Sequence, residues 1–414
     1  MASTNSTSEN EVRSWLKNVL KDENFKDIQV KIQGNSEKGD GYMGDIVFVS
    51  VEGIIDSQSS KKYDLVLKCS KKSKPLRETS PVKEAFLNEI LMYQEVLPYF
   101  IQYQQEKGVK APFSSIPKCY GSFIGENMEI IVLENLKSSS YELWPMKEPL
   151  SRRHIDLIVT EYGKYHATSL AFQHQRPTEF QKFLDTLIDM IEICVKRSDY
   201  QILFGTPVDQ SYELLKNDLD DDILLRWKGL KNQIENIFGD LVKTSTGPKV
   251  ILHGDCWNSN FMFLHETSGE KIPLKVAFLD WQVSRYASPI VDLSHFLFTC
   301  ISKEDLEELE NILVMYHTTF INQLVQLGIE KPDTLYPLAQ FLDEWNNLCK
   351  YGILMASLLM KVVSTEKDEV LDIAQVAESG KDFTETFINE IRDKENYKRR
   401  IRPIVEYAVK HNLI

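Results

Sequence analysis

At 414 residues the chain is longer than one ordinary hydrophobic core accommodates, so two lobes sharing a cleft are expected. Its 43% hydrophobic and 26% charged residues exclude a disordered or membrane-embedded composition. The net charge of −13 argues against a nucleic-acid partner, whose phosphates need clustered Lys and Arg.

The six cysteines (Cys69, Cys119, Cys194, Cys256, Cys300, Cys349) are scattered with no CxxC pair, and read as reduced thiols. The first residues carry no basic start or apolar core, and the longest apolar-rich run, 351–363, is too short for a bilayer crossing. These features predict a soluble cytoplasmic protein with no membrane partner.

Residues 11–20 space Val12, Trp15, Leu16, Val19 and Leu20 as one helical stripe. The alternation over 27–32 predicts a half-buried strand, and 46–51 a second. Between them, Gly39-Asp-Gly-Tyr-Met-Gly44 fits G-x-G-x-x-G, but a β-branched run follows it where a dinucleotide site needs a helix. Gly39, Gly41 and Gly44 are therefore either turn formers or the backbone of a loop that covers phosphates. A third strand, 61–68, ends in Lys68; a helix over 81–97 places Phe86, Ile90, Tyr93 and Leu97 on one stripe with Glu89 beside it. Taken singly, Lys68 reads as a solvated strand end and Glu89 as solvent face. Together they would hold an ammonium toward a phosphate if the helix lies over the sheet.

Strands over 118–123 and 129–133 lead into Glu134-Asn135-Leu136. The composition then changes through Lys137 and the triple serine 138–140, which sets the predicted boundary between a lobe of residues 1–136 and one of 137–414. Beyond it helices are predicted over 150–172, 180–195, 222–242, 303–327, 335–363, 383–391 and 397–411. His166 falls on the apolar face of the first and reads as core; the acidic run 218–222 reads as charge at a helix N-terminus.

The stretch 250–263 leads from apolar residues into a polar loop with His253, Asp255, Asn258 and Asn260, and a second apolar run ends at Asp280. If the two runs form a hairpin, Asp255, Asn260 and Asp280 converge as an all-oxygen set of the kind Mg²⁺ prefers, without the Cys or His pairs of a zinc site. Asp255 would accept a hydroxyl proton, Asn260 and Asp280 would hold the metal, and His253 would brace the loop. Either Asp255 or Asn260 alone would be a plain turn former.

His253-Gly-Asp-Cys-Trp-Asn-Ser-Asn260 and Leu279-Asp-Trp-Gln282 resemble the catalytic loop and metal-binding segment of the ecdysteroid kinase-like proteins, a branch of the aminoglycoside phosphotransferase and choline kinase group. The resemblance extends to Trp15-Leu-Lys17, Val66-Leu-Lys68, Phe86-Leu-Asn-Glu89, Leu133-Glu-Asn-Leu136, Tyr165-His-Ala-Thr-Ser169 and Pro289-Ile-Val-Asp292. It implies an α+β, protein-kinase-like two-lobed fold: an N-lobe antiparallel sheet with one helix, and a larger, mainly helical C-lobe. It also implies ATP and Mg²⁺ as cofactors and γ-phosphoryl transfer to a small-molecule hydroxyl, that of an ecdysteroid or another lipophilic alcohol. By that match Asp255 is the base, Asn260 and Asp280 are metal ligands, Lys68 is the phosphate-binding lysine and Glu89 its partner. Glu134, Asn135 and Leu136 are the hinge that meets adenine through its backbone, and Asp292 is structural.

One departure is a longer, more polar glycine loop, with Asp40 and Asp45 close to where phosphates would lie. The alternatives are a kinase for choline, ethanolamine or an aminoglycoside, and an inactive binding protein of the same fold. The first needs acidic or aromatic groups around a cation; Tyr286, Phe296, Phe298, Trp345 and Tyr351 are available but read first as core. Against the second stands the presence of Lys68, Asp255, Asn260 and Asp280. The apolar run 348–360 reads as helix packing, or as the wall of a steroid pocket.

Overall fold

The computed structural model describes residues 8–35, 43–55, 59–196, 200–267, 269–364, 373–380 and 389–414. The first helix, Glu9–Val19, starts earlier than its apolar stripe because Ser8 and Glu11 form a capping box. The Ser8 N–H donates to the Glu11 carboxylate (2.9 Å) and the Glu11 N–H to the Ser8 hydroxyl (3.3 Å). Five antiparallel strands follow, β1 (Asp27–Asn35), β2 (Gly44–Ile54), β3 (Ser60–Ser70), β4 (Cys119–Gly125) and β5 (Met128–Glu134), in the spatial order β1-β2-β3-β5-β4.

Period-two alternation assigns each face of this sheet. Leu65, Leu67 and Cys69 of β3 join Val47, Val49 and Val51 of β2 and Ile130 and Val132 of β5 in a cluster with Val12, Trp15 and Leu16 of the first helix. Lys68 therefore points from the opposite face, in register with Ile46 and Ile131. On that face lies the helix Val82–Leu91, which runs through a π turn, Met92–Val96, into Leu97–Glu106 and so extends past the predicted end at 97.

The same alternation disposes of one expected difficulty. Asp45 is opposite Cys69 in register, on the face away from Lys68, and its carboxylate pairs with Lys71 Nζ at 3.1 Å. It does not confront the phosphates that Lys68 would bind. Gly39, Gly41 and Asp40 lie outside the described residues. Gly44 opens β2, where an added Cβ would sit 2.7 Å from the Cys69 carbonyl oxygen and 2.8 Å from the Phe86 ring, so a side chain does not fit.

The remainder is mainly helical, with two small sheets. One contains β6 (Glu142–Leu143), β8 (Phe261–His265) and β9 (Pro273–Phe278); the other pairs β7 (Val250–Ile251) with β10 (Tyr286–Ala287). The helix Arg152–Gln175 packs on Leu309–Gln326, and the wholly buried helix Pro289–Cys300 on Lys350–Val363. Gly352 is the point of closest approach in that second pair: a Cβ there would lie 2.2 Å from the Ser294 carbonyl. The run 348–360 is accordingly packing core. With the antiparallel sheet and its one long helix ahead of this helical part, the chain has the expected α+β, protein-kinase-like architecture.

Several predicted helices are interrupted, and one observed helix was not predicted. The helix expected over 180–195 is broken into Pro177–Thr186 and Met190–Val195. Asn88 takes the backbone N–H and carbonyl of Ile188 (3.0 and 3.2 Å), and Asp189 caps the second piece by accepting from the Glu192 N–H (3.0 Å). The segment 222–242 begins as the helix Asp221–Gly229 and continues in 3₁₀ and π turns. A helix that sequence periodicity did not reveal, Tyr200–Leu215, carries Pro207 in its interior. Most of the helix expected over 383–391 lies outside the described residues. Among the described residues no helix is long and apolar enough to cross a membrane. Cys69, Cys119, Cys256, Cys300 and Cys349 are free thiols.

Candidate active site

The loop between β7 and β8 takes its shape from one buried carboxylate. Asp292, in the first turn of Pro289–Cys300, accepts the N–H of His253 (2.7 Å) and of Gly254 (2.9 Å), one on each oxygen. His166 supports it from behind, with Nε2 3.2 Å from Asp292 and Nδ1 2.8 Å from the Tyr316 hydroxyl. Burial pushes the Asp292 carboxyl up, but His166 and His253 outweigh it and hold it below its ordinary value. Gly254 has φ +90°, and a Cβ on it would meet the Val283 carbonyl oxygen at 2.1 Å.

His253 is fully buried, and the backbone engages both its ring nitrogens. Nδ1 accepts the Asp255 N–H (3.2 Å) and Nε2 donates to the Leu279 carbonyl (2.8 Å), which fixes a neutral tautomer. Burial also lowers its pKa. It ties the loop to the segment holding Asp280 and has no nitrogen left for a substrate proton. The Leu279 N–H closes the same junction on the Asn260 carbonyl (2.9 Å).

Five of the predicted site residues meet here. Lys68 Nζ lies 2.8 Å from Glu89 Oε2 and 2.9 Å from Asp280 Oδ1. Oriented to satisfy its neighbours, the Gln282 amide accepts from Lys68 Nζ (3.1 Å) and donates to Asp280 Oδ1 (3.3 Å). Asn260 donates from Nδ2 to the Asp255 carboxylate (2.8 Å) and to the Asp255 carbonyl (3.0 Å). Asp280 adopts φ +62°, a left-handed conformation uncommon outside glycine, at the point where the chain leaves β9.

The charges are strongly perturbed. Burial pulls the Lys68 ammonium down, but the carboxylates of Asp280 and Glu89 outweigh it and hold it above its ordinary value. Burial raises Glu89 to about 7 against the pull of Lys68. Half-buried Asp255 is raised to about 7, by desolvation first and by the Asp280 charge second. The Trp257 indole N–H leans toward Asp255 and lowers it somewhat without completing a hydrogen bond.

This donor set fits a hard cation. The Asn260 amide nitrogen is committed to Asp255, which leaves its oxygen to accept, and the Asp280 side chain is 30% exposed. A carboxylate and an amide oxygen beside a destabilised aspartate suit Mg²⁺, which keeps water and phosphate oxygens in its remaining positions. Among the described residues no three His, Cys, Asp or Glu converge as a metal cluster.

The segment Glu134-Asn135-Leu136 ends β5, with Glu134 in register with Leu65 of β3. Its side chains serve the turn: Asn135 Oδ1 accepts the Lys137 N–H (3.1 Å), and the Glu134 carboxylate accepts the Lys118 N–H (3.4 Å) and the Ser139 hydroxyl (3.4 Å). Phe296, Phe298, Trp345 and Tyr351 are buried core, and Tyr286 is half-buried with its hydroxyl accepting from Gln173 Nε2 (2.6 Å). They do not form a cation box. Asn88 escaped the sequence reading. From the Glu89 helix it donates to the carbonyls of Gln282 (3.1 Å) and Ser284 (2.8 Å), joining that helix directly to the segment after Asp280. Its only signal was its place beside Glu89.

No curated protein sequence matches the chain. Similar solved structures include a point mutant of aminoglycoside 2'-phosphotransferase-IIIa in complex with GDP, with 11% identity, 98% of each chain covered and a TM-score of 0.41. A microcompartment-associated aminopropanol kinase gives 8%, 88% of this chain, 97% of the other and 0.36; a glucosamine kinase gives 8%, 93%, 94% and 0.30. Likenesses this distant carry no weight for chemistry. The model of the ecdysteroid kinase-like family matches residues 38–329. That span is more than two thirds of the sequence and holds every site residue named above, and by it the chain belongs to the ecdysteroid kinase-like family.

Proposed function

We propose that the protein is a kinase that transfers the γ-phosphoryl group of ATP to the hydroxyl of a small-molecule alcohol, an ecdysteroid or another lipophilic alcohol. The observation that carries this reading is the double engagement of Lys68 Nζ, by Glu89 at 2.8 Å and by Asp280 at 2.9 Å, next to the Asp255–Asn260 pair. A strand lysine paired with a helix glutamate, beside an aspartate able to hold a metal ion, is the arrangement protein kinases use for phosphoryl transfer.

In this reading residues 1–136 form the nucleotide lobe and 137–414 the lobe with the base and the acceptor pocket. Adenine meets the backbone of Glu134 to Leu136, and Lys68, steadied by Glu89, turns from Asp280 to the phosphate oxygens. Gly44 belongs to the phosphate-covering loop. Asn260 and Asp280 would hold magnesium, which when bound would supply positive charge against the phosphates. Asp255, oriented by Asn260, takes the acceptor proton as the hydroxyl oxygen bonds to the γ-phosphorus and the bridging P–O bond to ADP breaks. Its elevated pKa, about 7, suits proton exchange near neutrality. Reduced thiols favour a cytosolic setting.

The test is to incubate the protein with Mg-ATP and a panel of steroid, glycoside and amino-alcohol acceptors, beside Asp255→Ala. Phosphorylated product from the wild type alone supports the reading. Equal turnover of every acceptor by both proteins ends it.

A further inference from the structure

Gln282 is buried two residues beyond Asp280, and the mechanism above gives it no part. Its backbone carbonyl accepts from Asn88 Nδ2 (3.1 Å), and Asn88 is itself fixed by the Ser284 carbonyl (2.8 Å) and the Ile188 N–H (3.0 Å). Gln282 is thereby pinned to the residue next to Glu89, and its side chain reaches Lys68 and Asp280. A cation calls for the amide oxygen and a carboxylate for the amide N–H₂, so a single orientation satisfies both: 3.1 Å to Lys68 Nζ and 3.3 Å to Asp280 Oδ1.

An ammonium has three N–H groups to give. Those of Lys68 face three acceptors: Glu89 Oε2 at 2.8 Å, Asp280 Oδ1 at 2.9 Å and the Gln282 amide oxygen at 3.1 Å. A phosphate oxygen therefore reaches Nζ only by taking the place of one of them. Glu89 is 1% exposed, and taking away its cation would strand a buried carboxylate. Asp280 is 30% exposed and has solvent to turn to, so Asp280 is the partner that yields.

Asp280 is occupied by the same contact. Its Oδ1 receives both Lys68 Nζ and the Gln282 amide N–H. A divalent cation on that carboxylate would lie against the ammonium, and like charges so close repel. One contact thus lowers the affinity of Lys68 for phosphate and of Asp280 for a cation, and a single rupture frees both.

Resting on the kinase reading above, we propose that Gln282 is a positioning residue that latches Lys68 to Asp280, so that the lysine is released to phosphate and the aspartate to a divalent cation together. Phosphate alone or cation alone has to break the latch. The second of the two then binds without that cost, and each raises the other's affinity by the same factor. The two hydrogen bonds of the amide belong to the latched arrangement and are lost with it, so they set the size of that factor.

Two dissociation constants read the latch. One is that of ATP in EDTA, by calorimetry. The other is that of Mn²⁺ without nucleotide, from the electron paramagnetic resonance signal of the free ion, with Asp280→Asn defining the Mn²⁺ bound elsewhere. Gln282→Met keeps the length and apolar packing of the side chain and removes both hydrogen bonds. It should bind ATP and Mn²⁺ each about tenfold more tightly than the wild type, the scale of a hydrogen bond to a charged group, whereas loss of a merely structural side chain weakens both. Asp280→Asn should also tighten metal-free ATP, and Gln282→Met added to it should change nothing more. The inference is overturned if Gln282→Met leaves either constant unchanged or weaker, if its gain for ATP persists in the Asp280→Asn background, or if Asp280→Asn alone fails to tighten metal-free ATP. A wild type that binds ATP neither in EDTA nor with Mg²⁺ overturns the kinase reading itself.

Discussion

Lys68 and Glu89 show how much a single residue can hold in place. Glu89 is 1% exposed, and Lys68 is the cation that offsets its burial. Lys68→Met should therefore destabilise the fold by roughly 3–5 kcal/mol, and pairing it with Glu89→Leu should recover most of that loss in urea unfolding. Asp255→Ala should leave the fold intact and lower kcat by about 10²- to 10⁴-fold, as loss of a general base does. Asp280→Asn should raise the magnesium concentration needed for half-maximal turnover; a magnesium titration indistinguishable from the wild type would remove Asp280 from the metal site.

At the scale of elements, the joints of the catalytic loop are backbone matters. Gly254→Ala places a Cβ 2.1 Å from the Val283 carbonyl at φ +90° and should cost more than about 2 kcal/mol, while Gly34→Ala, with nothing within 4 Å, should be near neutral in the same melting experiment. Such contacts mark where the sequence stopped being readable. The strand with Lys68, the helix with Glu89 and the acid and amide spacing around Asp255 were legible, whereas the face from which Lys68 points came only with the sheet register. Nothing local announced that the helix over 180–195 would break, because the break is set by Asn88, about a hundred residues upstream. Pro207 hid the helix Tyr200–Leu215, since proline normally argues against a helix interior.

For the whole molecule, acid response is a balance of opposite signs. Burial lowers His154 to about 4 and His295 to about 3. The unfolded chain takes up those protons first, so their contribution is full above about 6.5 and is lost as pH falls toward those values. Asp255 and Glu89 are raised to about 7, so their contribution is full below about 4 and is lost as pH rises toward 7. Between about 4.5 and 6.5 the two sets oppose each other, and because burial also lowers His253 and His265 the histidine side prevails, so the wild type should gain stability as pH rises through this window. Asp255→Asn removes one opposing group, so its stability should rise across that window by roughly 1.4 kcal/mol per pH unit relative to the wild type. Urea midpoints at pH 5.0 and 6.5 check this; parallel profiles would refute it.

The Asn88 amide also bears on how the chain is made. The five strands of the first sheet are all present once Glu134 has been synthesised, but the Gln282 and Ser284 carbonyls that Asn88 holds, and Asp280 beside Lys68, come much later in the chain. At about 5–20 residues per second, a ribosome leaves the Glu89 helix waiting on the order of ten to forty seconds for these partners. During that interval a buried-type amide and a buried-type carboxylate face water or a chaperone, and the Lys68 side of the sheet is completed only after the second half of the protein has emerged.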